Sequence, residues 1–117
     1  MHNFKELKVW QESMELAKTV FLTTKQFPAE EKFGMVAQLR RTVVSIPSNI
    51  AEGTSRTSAK EFNHFLEIAL GSAFELETQL LIIDAVEYGD KLLRTEILKD
   101  VDEEQKMLIS FMNKLNT

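Results

Sequence analysis

LRRTVVSIPSNIAEGTSRTSAKEFNHFLEIALGSAFELETQL, residues 39–80, is the stretch whose reading decides the fold. Apolar residues at Val36, Leu39, Val43, Ile46 and Ile50 follow steps of 3, 4, 3 and 4, which is one face of an α-helix. Pro47 lies inside that pattern. It donates no N–H, and its ring crowds the carbonyl of Val43, four residues back. Ile50 nonetheless falls where an unbroken helix would carry it. The spacing predicts one helix over 30–53 that kinks at Pro47 and resumes in phase. The alternative is a true break, with Ser45 or Ser48 capping a short separate helix.

A polar turn follows, and then Ser58-Ala59-Lys60-Glu61, the pattern of a capping box. From there Phe62, Leu66, Ala69, Ala73, Leu76, Leu80 and Ile83 alternate steps of 4 and 3. This is a heptad seam, the pattern of antiparallel bundle packing. It predicts a helix over 58–88, closed by Gly89 in a left-handed cap. Ala69, Gly71, Ser72 and Ala73 make the centre small, so a neighbouring backbone is expected to approach there.

Working outward, the first helix is expected over 4–26, opened by Asn3 with Glu6 as a second capping box. Its seam reads Leu7, Trp10, Met14, Ala17 and Phe21, with Val9, Leu16, Val20 and Phe27 as an adjacent stripe. An apolar face that wide meets two neighbouring helices or a second subunit. Pro28 ends the first helix, and Ala29, Glu30 and Glu31 begin the second. Asp90 caps a last helix over 91–115, with seam residues Leu93, Ile97, Val101, Leu108, Met112 and Leu115, interrupted at Glu104 or Gln105. The connections are short, which forces antiparallel neighbours. The expected fold is all-α, an up-down four-helix bundle with a Pro-kinked second helix, in one domain spanning 1–117.

Composition agrees. The 117 residues are 44% apolar and 27% charged, which is globular, and four Gly and two Pro leave little room for hairpin turns. With no Cys, disulfide and thiolate chemistry are excluded, which suits a cytoplasmic location. No apolar run approaches the ~20 residues of a membrane span. Charge is uneven: residues 1–60 hold nine Lys or Arg against six Glu, and residues 61–117 five against twelve acids. Oppositely charged halves favour head-to-tail contact between identical subunits.

Chemistry is sparse. Glu61-Phe62-Asn63-His64 matches the Glu-x-x-His of a di-iron bundle, but such sites need that motif on two helices, and the other histidine is His2. No metal or cofactor is expected. There is no nucleophile elbow and no phosphate-cradling glycine loop, so no catalytic residue is expected and the chain reads as a non-enzyme. Arg41, Ser45, Asn49, Glu52 and Arg56 form a polar stripe at helical spacing. Ser and Asn are poor helix formers that bond backbone, so the stripe reads either as a structural polar network or as a solvated face. An ion pair from Arg41 or Arg40 to Glu75 would join it across the hairpin. Arg40, Arg41, Arg56 and Lys60 are the candidate contacts for RNA, DNA or a protein partner, although a pI near 5.2 argues against a broad nucleic-acid footprint.

QLRRTVVSIPSNIAEG with EFNHFLEIALGSAFELETQL, together with FKELKVWQESMELA and FPAEEKFG, resembles the small bacterial four-helix-bundle proteins encoded in intervening sequences of 23S ribosomal RNA genes. RR, SIPSNIAEG, GSA and ELE occur in the order and spacing of that family. The resemblance implies an up-down bundle and a homopentameric ring, and it brings no established activity. It also implies kinship in fold with the accessory variability determinant of diversity-generating retroelements, which is taken to bind nucleic acid and a reverse transcriptase. Two functional expectations follow: a cytoplasmic assembly or adaptor bundle, or a nucleic-acid-binding accessory protein acting through the basic patch of the oligomer.

Overall fold

The computed structural model describes residues 3–117, so His2 lies outside the described residues. Among them, four α-helices and two short 3-10 turns account for all regular structure. The helices are α1 (Lys8–Thr24), α2 (Met35–Thr54), α3 (Ala59–Ala85) and α4 (Lys91–Leu115). Each packs on its sequence neighbours, and α4 closes against α1, giving a bundle of 44 × 23 × 20 Å. One core draws on all four helices.

The stretch quoted first behaves as its phase requires. Val36, Leu39, Val43, Ile46 and Ile50 are all buried. α2 runs without a break through Pro47, which is itself buried, so no separate helix begins at Ser45 or Ser48. Continuity is the feature established here, not a kink. The α3 seam is buried at every position from Phe62 to Ile83. Ser58 Oγ accepts from the Glu61 amide at 3.1 Å, and Asp90 Oδ1 accepts from the amides of Leu92 and Leu93, so both caps form.

Four boundaries or faces differ from expectation, each for a local reason. Asn3 caps only the 3-10 turn Phe4–Glu6, its Oδ1 accepting from the Lys5 amide. Leu7 is extended, so α1 begins at Lys8, and the Phe4 ring folds back edge-on to Trp10 at 5.2 Å. The α1 faces are exchanged: Val9, Ser13, Leu16 and Val20 point into the core, while Met14 and Phe21 are exposed. Ser13 is the reason the exchange was hidden, because a serine occupies a core position. α2 begins at Met35, not at residue 30. Ala29–Glu31 make a single 3-10 turn, and Gly34 leaves helical dihedrals (φ −99°, ψ −107°) before the helix starts.

The fourth difference is the end of α3. The helix stops at Ala85, and Glu87 takes the left-handed conformation at φ 58°. The Tyr88 amide bonds the Ile83 carbonyl and the Glu87 amide bonds that of Asp84, which is a Schellman cap. Gly89, expected as the cap, is a second left-handed residue (φ 73°) pressed against the Phe27 ring.

The close backbone approach occurs at Gly53, not at the centre of α3. A methyl group there would lie 2.8 Å from Phe62 Cδ1 and 2.9 Å from Phe65 Cβ, whereas Gly71 has open space around it. Ala69 and Ala73 do sit in the core. Gly53→Ala is therefore expected to overpack the hairpin and cost roughly 1–3 kcal/mol. Urea denaturation would show the midpoint falling, and an unchanged midpoint would contradict the contact.

Candidate functional site

The sequence placed its candidate residues on the α2–α3 hairpin, and the structure distributes them over three surfaces. Gly53 against Phe62 and Phe65 fixes the antiparallel register. Counting outward from it sets Asn49 near Ile68, Ser45 near Ser72, Arg41 and Thr42 near Glu75, and Gln38 near Gln79. These nine residues line one groove of about 510 Å³.

Inside that groove the polar stripe bonds its own helix. Ser45 Oγ donates to the Thr42 carbonyl at 2.7 Å, and Asn49 Nδ2 donates to the Ser45 carbonyl at 2.7 Å. Neither reaches the carbonyl of Val43 that Pro47 leaves without its usual donor. Glu52 pairs at 3.1 Å with Arg56, which lies just past the end of α2. Arg41 and Glu75 are both exposed, and among the described residues no ion pair joins Glu75 to Arg41 or Arg40. The expected cross-hairpin pair is not made: the two charges share the groove without meeting.

Arg40 leaves the hairpin altogether. Its Nε donates to Thr24 Oγ1 at 3.0 Å and an Nη to the Phe21 carbonyl, with the guanidinium 4.9 Å above the Phe21 ring. It clamps α2 to the end of α1. Arg56, past the C-terminal end of α2, and Lys60, in the first turn of α3, lie at the other end of the hairpin from Arg40. There they line a cavity of about 560 Å³ with Ser58, Glu61, His64 and Phe65. Arg56 stacks 4.5 Å over the Phe65 ring. The four basic residues therefore do not form one patch.

Arg94 and Gln79, which the sequence did not single out, are buried, and so is Glu104, expected there only as an interruption of the α4 seam. Arg94 donates from Nε to Asp84 Oδ1 at 2.9 Å and from Nη1 to the carbonyls of Tyr88 and Gly89, fastening the α3–α4 turn. Gln79 is 8% exposed, and its Oε1 has no partner. Glu104 is 1% exposed, and neither carboxylate oxygen has a partner. Its neighbour Gln105 is satisfied, donating to Glu77 Oε1 at 2.9 Å. The signal was present in the spacing. Arg94, Ile97, Val101, Glu104 and Leu108 step by 3, 4, 3 and 4, and Gln79 falls between Leu76 and Ile83 in the same way. Residues of the wrong polarity stood at positions of the right phase.

No group of three His, Cys, Asp or Glu able to hold a metal occurs among the described residues. No helix among them is long and apolar enough to cross a membrane. The geometry defines a class: a four-helix bundle whose polar features sit on an α2–α3 hairpin and in its interior. The chain belongs to the 23S rRNA-intervening sequence protein family, whose model matches residues 5–110. A solved structure from Bacteroides thetaiotaomicron, a protein with unknown function from the S23 ribosomal protein family, is similar to it. The likeness covers 89% of this chain and 97% of that one, at 30% identity and a TM-score of 0.79. No curated protein matches the sequence.

Glu104 gives the pH behaviour. Burial, reinforced by the charge of Glu12, pushes its carboxyl from 4.5 up to about 9. The folded state thus holds a proton that the unfolded chain releases. The stability this contributes is complete below about pH 4.5 and is lost as pH rises toward 9, a swing on the order of 6 kcal/mol across the window. Glu104→Gln, neutral at every pH, should match the parent near pH 4.5 and exceed it by roughly 3 kcal/mol at pH 7. Thermal melts of both proteins across pH 4.5–9 would show this divergence. Parallel curves would mean that Glu104 is ionised in the fold.

Proposed function

We propose that this chain is a non-enzymatic assembly bundle of the cytoplasm, whose identical subunits close into a ring. The observation that carries this reading is the outer face of α3. Phe74, Leu81, Ile82 and Val86 are 48, 52, 48 and 53% exposed, and they recur along one side of the helix and its C-cap with Thr78 and Ala85 between them. A continuous apolar stripe on the solvent side of a long helix is unfavourable in water and marks an interaction surface. The face expected to serve this purpose was on α1. Met14, Phe21 and Leu22 are exposed there too, but Arg40 already covers part of Phe21.

A basic first half and an acidic second half favour a heterologous contact, and such a contact must close or polymerise. Five subunits is the number the family resemblance implies; charge and spacing do not supply it. The absence of Cys from the sequence fits the reducing cytoplasm. A second reading, a nucleic-acid-binding accessory protein, is favoured by one observation: Arg56, Lys60 and His64 gather around the cavity at the α2–α3 turn.

Light scattering across a sizing-column peak should give five times 13.4 kDa. Leu81→Asp, which places a charge in the stripe, should reduce that mass. A monomeric parent would remove the ring, and a dimer would contradict the head-to-tail contact. Titration with structured RNA and with DNA at two salt concentrations separates the second reading. Binding that weakens steeply with salt supports it, and no binding at low salt removes it.

A further inference from the structure

The geometry points to a head-to-tail contact in which the outer stripe of α3 in one subunit seats in a basic, apolar cleft of the next, between the start of α1 and the end of α4. The contact rests on the reading of that stripe as an assembly surface and adds the face that receives it. Leu7, Val9, Met107 and Phe111 supply the apolar lining of the cleft, which holds about 370 Å³. Lys8, Lys106 and Lys114 rim it, and among the described residues no Asp or Glu lines it. Lys106 pairs with Asp102 at 2.9 Å, an exposed pair that contributes little. Lys8 and Lys114 are exposed and make no ion pair among the described residues.

α3 has the opposite character. From Glu61 to Asp90 the chain holds seven acidic residues and no Lys or Arg. Glu67 continues the outer face two turns before Phe74, and Glu75 and Glu77 flank it on either side. A twofold contact of α3 with α3 would set carboxylates against carboxylates, which disfavours a self-complementary pair. The cleft supplies what the stripe lacks, apolar surface bordered by cations. Phe74 is the anchor, since a large ring seated in a pocket dominates an interface of this kind. Gln105 donates to the Ala73 carbonyl and to Glu77, which sets Phe74 level with the middle of α4. The cleft residues of α4 begin at Lys106, so stripe and cleft lie at neighbouring heights on the bundle. α1 and α3 occupy diagonal corners: among the described residues each packs on α2 and α4 and not on the other. Stripe and cleft therefore face different directions, and a contact joining them repeats from subunit to subunit, as a ring requires. Met14, Phe21 and Leu22 on α1 form another exposed apolar face, with Lys18 and Lys25 exposed on the same helix end, but Arg40 already stacks on Phe21.

Light scattering across a sizing-column peak tests this in the intact chain, with circular dichroism confirming that each variant stays helical. Lys8→Glu with Lys114→Glu changes two exposed residues and should lower the mass from that of the parent toward 13.4 kDa, as Leu81→Asp does. Adding Glu67→Lys and Glu75→Lys to that chain returns opposite charges to the contact and should restore the parental mass. Lys18→Glu with Lys25→Glu, on the outer face of α1, should leave the mass unchanged. If Leu81→Asp dissociates the parent while the Lys8 and Lys114 pair keeps the full mass, the cleft is overturned and the assembly stripe stands. Dissociation by the Lys18 and Lys25 pair, or no recovery in the charge-swapped chain, overturns the cleft in the same way. A monomeric parent, or Leu81→Asp at the parental mass, overturns the stripe and the cleft together.

Discussion

The missing side chain at Gly53 is the contact on which the hairpin depends. With no Cβ there, the rings of Phe62 and Phe65 close onto the backbone of α2 just before the turn. That contact sets the register of α2 against α3, the two helices that share the most extensive packing in the molecule. Register in turn decides which polar residues face one another far from the turn. Arg41 sits level with Glu75, and Gln38 with Gln79, because of a contact near residue 53. A shift of one turn would carry each of these residues about 5.4 Å along its neighbour and dissolve the groove.

The interior carries more polarity than a bundle of this size needs for stability, and the three cases differ in kind. Arg94 is costly to bury as a cation, yet an ion pair and two carbonyls surround it, so its removal would leave those carbonyls without donors. Gln105 is satisfied across the α3–α4 interface by Glu77. Glu104 has nothing, and it resolves the problem by remaining neutral. A buried group with no partner gives up its charge before it gives up its position.

The helices were legible in the sequence wherever apolar period and cap chemistry agreed. α3 is the clearest case: Ser58 opens it and seven seam residues all enter the core. Legibility failed where a polar residue held a core phase. Ser13 in α1 diverted the reading to the stripe one step around the helix. Arg94 diverted the α4 seam to Leu93 in the same manner. Boundaries moved where tertiary contacts overrode local chemistry. The α3 cap lies at Glu87, while Arg94 holds the carbonyls of Tyr88 and Gly89 and the Phe27 ring packs against Gly89. Of the site residues, the sequence located the groove's α2 wall through its stripe. It could not tell that Arg40 would turn toward α1, since adjacent arginines on a helix point about 100° apart and either one could face the hairpin.

The neutral carboxyl of Glu104 also bears on how the chain reaches its fold. In the unfolded chain at pH 7 a carboxyl with an ordinary value near 4.5 carries a proton in only about one molecule in three hundred. Docking the centre of α4 with that group charged would strand an unpaired carboxylate away from water, which is costly. Folding therefore draws a proton from solution, and unfolding returns it. The heat of unfolding near neutrality thus includes the ionisation enthalpy of whichever buffer receives that proton. The solvent's proton supply becomes a reactant in the folding equilibrium of a single chain.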